Sequence, residues 1–186
     1  MTYLEICNKV LRLMREDTVT SVQVPDDVVV ELVKDFVNDA KRLVEDSHNW
    51  NMLRDQWTVS TTAGNPLVSV TGAGKYVVFS DVYNTTGGRL QECTNRKMAY
   101  LKSESGADNV PYYYAVNGID GSGDVRLRLH PTPDAVYTLS TEGFKKQADL
   151  SLDADELLVP AQPVVYYALA LALRERGEVG GQTAAE

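Results

Sequence analysis

The chain has 186 residues, 44% of them hydrophobic, which suits one domain, or one domain with an insertion, that needs no metal or disulfide to fold. Its formal net charge is −8, from 26 acidic and 18 basic residues, and this balance argues against binding nucleic acid through a basic surface. No apolar run reaches about 18 residues, so the sequence predicts a soluble protein without a transmembrane helix.

Two amphipathic helices are predicted at the N-terminus. The segment Thr2-Tyr3-Leu4-Glu5 has the capping-box pattern, in which a threonine hydroxyl and a glutamate carboxylate bind the free amides of a helix start. Apolar residues then recur every three or four positions, and this helix is expected to end near Arg15. Pro25 is predicted to open the second helix. The apolar stripe of that helix comprises Val29, Leu32, Val33, Phe36, Val37, Ala40, Leu43 and Val44.

The composition changes between Gln56 and Gln147, where Thr, Val, Tyr and Gly are frequent. Short runs with β propensity alternate with turn residues, which predicts an antiparallel meander folded as a small sandwich or open barrel. A short helix is predicted within this region at Asn95–Glu104, with Met98 and Leu101 pointing inward. The predicted strands lie at 57–61, 67–70, 76–79, 112–116, 125–129 and 137–141.

Helical character returns after Ser151. Pro163 suits a first helical turn, and the residues that follow are apolar on most sides, so this helix is expected to be well buried. The sequence thus predicts an α+β fold, in which N- and C-terminal helices form a small helical bundle around a central antiparallel β-sandwich or barrel-like insertion. The predicted segments are a helical pair at 1–54, a β-rich domain at 55–150, and a C-terminal helix and tail at 151–186 that packs back on the first helices.

The residue types that usually carry catalysis or bind metals show no matching pattern. Neither histidine has a nucleophile motif nearby, and His48 is expected to close the second helix. Asp120-Gly121-Ser122-Gly123-Asp124 lacks the remaining ligands of a calcium loop and is predicted to be a hairpin turn, while Gly72-Ala73-Gly74-Lys75 lacks the frame of a phosphate loop. Cys7 and Cys93 are predicted to be free thiols. The sequence therefore predicts no enzyme, no cofactor and no metal site.

The aromatic residues are more informative. Tyr112, Tyr113 and Tyr114 lie on one predicted strand, where neighbouring side chains alternate between faces, so at least one ring is expected to be exposed. All three are candidate exposed contacts. Trp50 and Trp57 flank the junction between the second helix and the β region and are expected to fill that seam. An alternative is that these rings form a platform for a sugar or a protein.

The order of these elements along the chain is similar to that of a known protein family. An N-terminal helix pair runs into His48-Asn49-Trp50-Asn51-Met52-Leu53, a β-rich insertion follows, and the helix led by Val159-Pro160-Ala161-Gln162-Pro163 closes on Arg176-Gly177. This arrangement resembles the head–tail adaptor proteins of tailed bacteriophages, of the connector and tail-tubular kind.

The resemblance implies a structural virion protein. Such adaptors dock as a ring, usually of twelve copies, beneath the portal, where they link the capsid to the tail and form part of the DNA conduit. The implied partners are the portal protein, neighbouring copies and a tail protein below, with no membrane and no specific binding of the DNA that passes through. The protein would be made in the host bacterial cytoplasm and reside at the head–tail junction. The acidic balance fits, because an acidic wall repels phosphates.

The exposed face of the second helix and the C-terminal tail are the candidate subunit and portal contacts. Thr183-Ala184-Ala185-Glu186 repeats the capping-box pattern without a helix after it, which suits a segment that orders on docking, so Thr183 and Glu186 are candidates. Two alternatives stay open: another tail component, such as a stopper, terminator or fibre-attachment protein, or a carbohydrate-binding β-module. A third, an enzyme of unknown type, is disfavoured by the scarcity of histidine and the lack of catalytic motifs. The candidates on the second helix are Lys34, Asp35, Asn38 and Arg42.

Overall fold

The computed structural model describes residues 1–23, 27–104 and 107–177. Helices lie at both ends of this part of the chain and strands lie in the middle, so the predicted α+β class is confirmed. The chain divides into two compact units. Among the described residues, those of Met1–Leu53 and those from Gln147 to Gly177 form one, named here the helical unit, and those of Arg54–Lys146 form the other, named the sheet unit.

The described residues contain four α-helices, one short 3-10 helix and eight strands. The helices are α1 (Tyr3–Leu13), α2 (Val28–Ser47), α3 (Asn95–Ser103) and α4 (Ala161–Glu175), with the 3-10 helix at Asn51–Leu53. The strands are β1 (Arg54–Ser60), β2 (Leu67–Ser69), β3 (Val77–Asn84), β4 (Gly88–Arg89), β5 (Gln91–Glu92), β6 (Tyr113–Ile119), β7 (Val125–His130) and β8 (Thr138–Lys145).

Helix α1 begins with the capping box that the sequence predicts. The Thr2 hydroxyl accepts a hydrogen bond from the Glu5 amide at 3.3 Å, and the Glu5 carboxylate accepts one from the Thr2 amide at 2.9 Å. The helix ends at Leu13, just before Arg15, whose φ of 62° is left-handed and breaks the helical path. The buried face of α1 comprises Tyr3, Ile6, Cys7, Val10 and Leu11.

Helices α1, α2 and α4 pack together as the core of the helical unit. Asp27 is the N-cap of α2, and its carboxylate accepts a hydrogen bond from the Val29 amide at 2.9 Å. Pro25, which is predicted to open this helix, lies outside the described residues. Pro163 occupies the first turn of α4, as predicted. The start of α2 is therefore capped by a side chain, whereas Pro160, the N-cap residue of α4, makes no side-chain cap hydrogen bond.

Burial within the helical unit differs from the prediction in two places. Leu32 and Leu43 belong to the predicted apolar stripe of α2, yet they are 39% and 53% exposed. Helix α4 buries one side against its neighbours, whereas Tyr166 and Tyr167 on the other side are more than half exposed. The prediction that α4 is well buried is therefore wrong, because three packed helices cover only one side of each helix.

The sheet unit contains two four-stranded sheets that pack as a sandwich. One sheet has the strand order β1-β8-β3-β4, and the other has the order β2-β7-β6-β5. Along β7 the side chains alternate, with Val125, Leu127 and Leu129 buried. These side chains meet Trp57 and Leu139 from the first sheet in one hydrophobic core, so the predicted sandwich is confirmed.

The strand order is not the predicted meander. β1 pairs with β8, where Trp57 lies opposite Thr141, 84 positions further along the chain. β5 runs parallel to β6, whereas the other described ladders are antiparallel. Local β propensity indicates where strands lie, but their partners depend on tertiary packing.

Helix α3 confirms the short helix predicted inside the β region. The Thr94 hydroxyl caps it by accepting a hydrogen bond from the Lys97 amide at 3.2 Å, and the helix packs against β6. Met98 is only 1% exposed, as expected, while Leu101 is partly buried. The short strands β4 and β5 were too brief for the sequence pattern to indicate.

Candidate functional site

The described part of the chain supports neither a metal site nor a membrane-spanning helix. It contains no cluster of three or more His, Cys, Asp or Glu side chains that could hold a metal ion. Among its helices, none has the length and apolar character needed to cross a membrane.

His48 is the C-cap residue of α2, and its ring lies edge-on to Trp50 with 5.0 Å between ring centroids. His48 therefore closes the helix, as predicted.

Two glycine-rich loops that resemble ligand-binding loops bind each other. The Asp124 carboxylate accepts hydrogen bonds from the amides of Gly72 and Gly74, at 3.0 and 2.8 Å. Hydrogen bonds from the Ser69 hydroxyl and from nearby backbone amides lower the pKa of Asp120, which lies in the same loop as Asp124. Amides that could cradle a phosphate are thus occupied by a carboxylate of the same chain, and residues 120–124 form the predicted turn between β6 and β7.

We expect Asp124→Ala to lower the free energy of unfolding of the sheet unit by about 2 kcal/mol, because two amides lose charge-assisted hydrogen bonds. Urea unfolding, followed by Trp57 fluorescence in a variant with Trp50→Phe, measures this change. Asp108→Ala, at an exposed position of the same unit, is the matched control and should change stability by less than about 0.5 kcal/mol. Equal effects of the two substitutions would contradict the structural role of Asp124.

The two cysteines are free, as predicted, and differ in exposure. Burial raises the pKa of Cys7 to about 12, and it also raises the pKa of the less buried Cys93. We expect a chromogenic disulfide reagent at about pH 8 to modify only Cys93 in the folded protein, and Cys7 only after unfolding. In Cys93→Ser the rapid reaction should vanish. Two rapidly reacting thiols in the folded wild-type chain would contradict this assignment.

The structure separates the three adjacent tyrosines. Tyr112 is 51% exposed, and Tyr113 is partly buried with the Lys97 ammonium 4.5 Å from its ring centroid. Tyr114 is only 3% exposed in the sheet core, and burial raises its pKa to about 12. The prediction of Tyr114 as an exposed contact is wrong, because alternation along β6 turns this ring inward. A platform of three exposed rings is therefore absent.

The tryptophans belong to different cores. Trp50 packs against the helical core, and its indole N–H donates a hydrogen bond to the Val44 carbonyl at 2.8 Å. Trp57 is 8% exposed in the sheet core and lies edge-on to Phe79, with 6.3 Å between centroids. Packing in the hydrophobic core of its own unit therefore accounts for the position of each tryptophan.

The four predicted contact residues of α2 lie in different surroundings. The Lys34 ammonium lies 3.4 Å from the Glu31 carboxylate, and only 19% of the Lys34 side chain is exposed. Asp35 is exposed, Asn38 is partly buried, and half of the Arg42 side chain is exposed. Asp35 and Arg42 are thus the members most open to a partner.

Asn38 joins three parts of the helical unit. Its side-chain amide donates hydrogen bonds to the Leu150 carbonyl at 3.1 Å and the Tyr3 hydroxyl at 3.3 Å, and its Oδ1 accepts one from the Leu150 amide at 2.9 Å. Tyr3 in turn donates to the Lys34 carbonyl at 3.1 Å. Burial raises the pKa of Tyr3 far above its usual value, which keeps this hydroxyl a donor. Asn38 therefore fastens the segment before α4 to α1 and α2.

Arg42 bridges two carboxylates. Its Nη1 lies 2.7 Å from Asp39, and its Nη2 and Nε lie 2.5 and 3.2 Å from the two oxygens of Asp149. The hydrogen bond with Asp149 is the main cause that raises the pKa of Arg42. Because the bridge is exposed, we expect it to contribute less than about 1 kcal/mol to stability.

The outer side of α2 carries an apolar stripe beside a row of acids. Val28, Leu32 and Leu43 are exposed and Phe36 is partly buried, and helical spacing places these four residues along one side. We name these four residues the α2 stripe; the name does not refer to the longer apolar stripe predicted from the sequence. Three exposed carboxylates, named the acidic row, lie next to it: Asp35, Asp39 and Asp46.

The outer side of α4 is more apolar still. Tyr166 and Tyr167 are 56% and 52% exposed, and one turn later Ala170 is exposed as well. Leu173, partly buried, and Arg174, exposed, complete the surface that we name the α4 face. Sequence reasoning missed it, because a helix that is apolar all round has no polar side to reveal which part meets solvent.

The remaining two candidates, Thr183 and Glu186, lie outside the described residues. A family model described as SU10 adaptor protein matches residues 1–186. No curated protein sequence matches the chain.

Proposed function

The chain belongs to the SU10 adaptor protein family, a family of phage head–tail adaptors, and from this premise we propose that it links the capsid to the tail as a ring beneath the portal. The protein is a phage adaptor, and its family is a structural class rather than a class of enzymes. The family match over residues 1–186 carries the proposal. Helices at both chain ends and a central sandwich agree with it.

The proposed ring has twelve copies and lies at the head–tail junction of the virion, after synthesis in the host bacterial cytoplasm. Each copy contacts the portal, its neighbours and a tail protein. The exposed apolar side chains of the α2 stripe and the α4 face support this arrangement, because such surfaces are typical of protein–protein contacts. Asp35, Arg42, Thr183 and Glu186 stay candidate contacts of subunits or portal.

The proposed ring also forms part of the DNA conduit. The formal net charge of −8 supports passage without specific binding, because an acidic wall repels phosphates. We expect no retention of the protein on duplex DNA at about 0.15 M salt. A basic lumen in the assembled ring would contradict this part of the proposal.

Mixing the purified chain with the portal protein of the same phage tests the proposal. Light scattering should report a complex that saturates at one adaptor per portal subunit. A chain truncated before Gly180 then tests whether the tail contributes to docking. If both proteins are folded and no complex forms, the portal-adaptor role is wrong, and another tail component becomes the better assignment.

A further inference from the structure

The helical unit exposes two different apolar surfaces, the α2 stripe and the α4 face. Its core is closely packed, with Ile6, Val33 and Val164 each fully buried. Exposed Tyr166, Tyr167 and Val28 contrast with this core. Large apolar side chains grouped on an outer helix side are typical of a surface that another protein covers.

The side-chain sizes on the two surfaces suit packing of one helix against another. On the α4 face, small Ala170 follows the two tyrosines by one turn, so a second helix can approach the backbone there. On the α2 stripe, Leu32 and Leu43 project from the helix and expose 39% and 53% of their surface. Helices pack when protruding side chains of one enter hollows of the other.

Their charges are complementary as well. The α4 face contains one charged residue, Arg174, and two tyrosine hydroxyls that can donate hydrogen bonds. The α2 stripe lies beside the three carboxylates of the acidic row. Pairing two α4 faces would offer Arg174 no carboxylate from either face. Pairing two α2 stripes would bring two acidic rows together, with Arg42 compensating only part of each row through Asp39. The mixed pairing places Arg174 of one copy beside the carboxylates of another.

We propose that the α4 face of one copy binds the α2 stripe of a second copy of this chain. Because the two surfaces differ, the contact is head-to-tail, and each bound copy leaves a free surface for the next one. Such contacts close into a ring when the rotation between copies fits. The biological setting of this contact, a ring at the portal, rests on the proposed function.

Cross-linking between single-cysteine variants tests the contact. Leu32→Cys and Ala170→Cys are made in a Cys93→Ser background, where the remaining Cys7 is buried. A short bis-maleimide is added to the mixed variants, both as concentrated adaptor alone and with the portal protein. We expect at least about tenfold more cross-linked dimer in the mixture than for either variant alone, because binding holds the two thiols at high effective concentration. The double variant should form a ladder of multimers.

Matched controls are Glu31→Cys and Glu175→Cys, which are exposed on the same helices but face other directions. Cross-linking no stronger than in these controls would overturn the inference, as would an Ala170→Cys dimer formed with itself or a cross-link from Ala170→Cys to the portal. A portal complex without the Leu32–Ala170 cross-link would refute this contact and leave the adaptor role intact. A cross-link without portal binding would support the contact and contradict the adaptor role.

Discussion

We expect replacement of Lys41 by methionine to lower the free energy of unfolding of the helical unit by about 3–5 kcal/mol. Lys41 is completely buried, and its ammonium lies 3.2 Å from Glu45 Oε1 and 2.7 Å from the Gln147 carbonyl that accepts its hydrogen bond. Methionine keeps most of the volume but removes the charge. Glu45 would then be a buried carboxylate without its cation, and its Oε2 already lacks a hydrogen-bond partner among the described residues.

Urea unfolding followed by Trp50 fluorescence, in a variant with Trp57→Phe, measures this loss in the helical unit. The double variant Lys41→Met with Glu45→Leu removes both charges, and we expect it to lie within about 2 kcal/mol of the parent protein. A double variant as unstable as the sum of the two single variants would show that the two residues do not stabilise the fold as a pair.

We expect Asn38→Ala to lower the free energy of unfolding of the helical unit by about 3 kcal/mol, because it leaves three groups without their side-chain partner. These groups are the amide of Leu150, the carbonyl of Leu150, and the Tyr3 hydroxyl oxygen, which accepts a hydrogen bond from Asn38. Leu150 is only 4% exposed, so water replaces these bonds poorly. The same urea experiment with Trp50 as reporter measures the effect.

Asp35→Ala is the matched control for Asn38, since it removes an exposed polar side chain one turn earlier on α2. It should change stability by less than about 0.5 kcal/mol. An Asn38→Ala protein as stable as the parent, with weaker portal binding, would show instead that Asn38 acts in docking. A loss of stability in the free chain distinguishes the structural role.

Local chemistry made much of the fold predictable. The capping box of Thr2 and Glu5 forms as expected, because its partners are three positions apart. The six predicted strands all exist, since β propensity and turn residues act over short stretches. Strand order was not predictable, because a pair such as Trp57 and Thr141 is distant in sequence and is selected by packing of the whole sandwich.

The candidate surfaces were less predictable, because polarity alone does not report burial. Lys41 is polar yet completely buried, with its hydrogen-bond acceptor Gln147 106 positions away. Asn38 is predicted to be a contact because it is polar and lies off the apolar stripe of α2, yet its hydrogen bonds bind Leu150, 112 positions away. Conversely, Tyr166 lies in an apolar segment of the sequence yet is 56% exposed. In each case distant partners decide which side of a helix meets solvent.

Electron microscopy of phage particles tests most directly the proposal that this adaptor joins heads to tails. Host cells are infected with a phage that lacks the gene, and the lysate is imaged before and after addition of the purified protein. Without the protein, we expect heads without tails alongside free tails, and once it is added we expect joined particles. Complete, infectious virions formed without the protein would contradict this proposal.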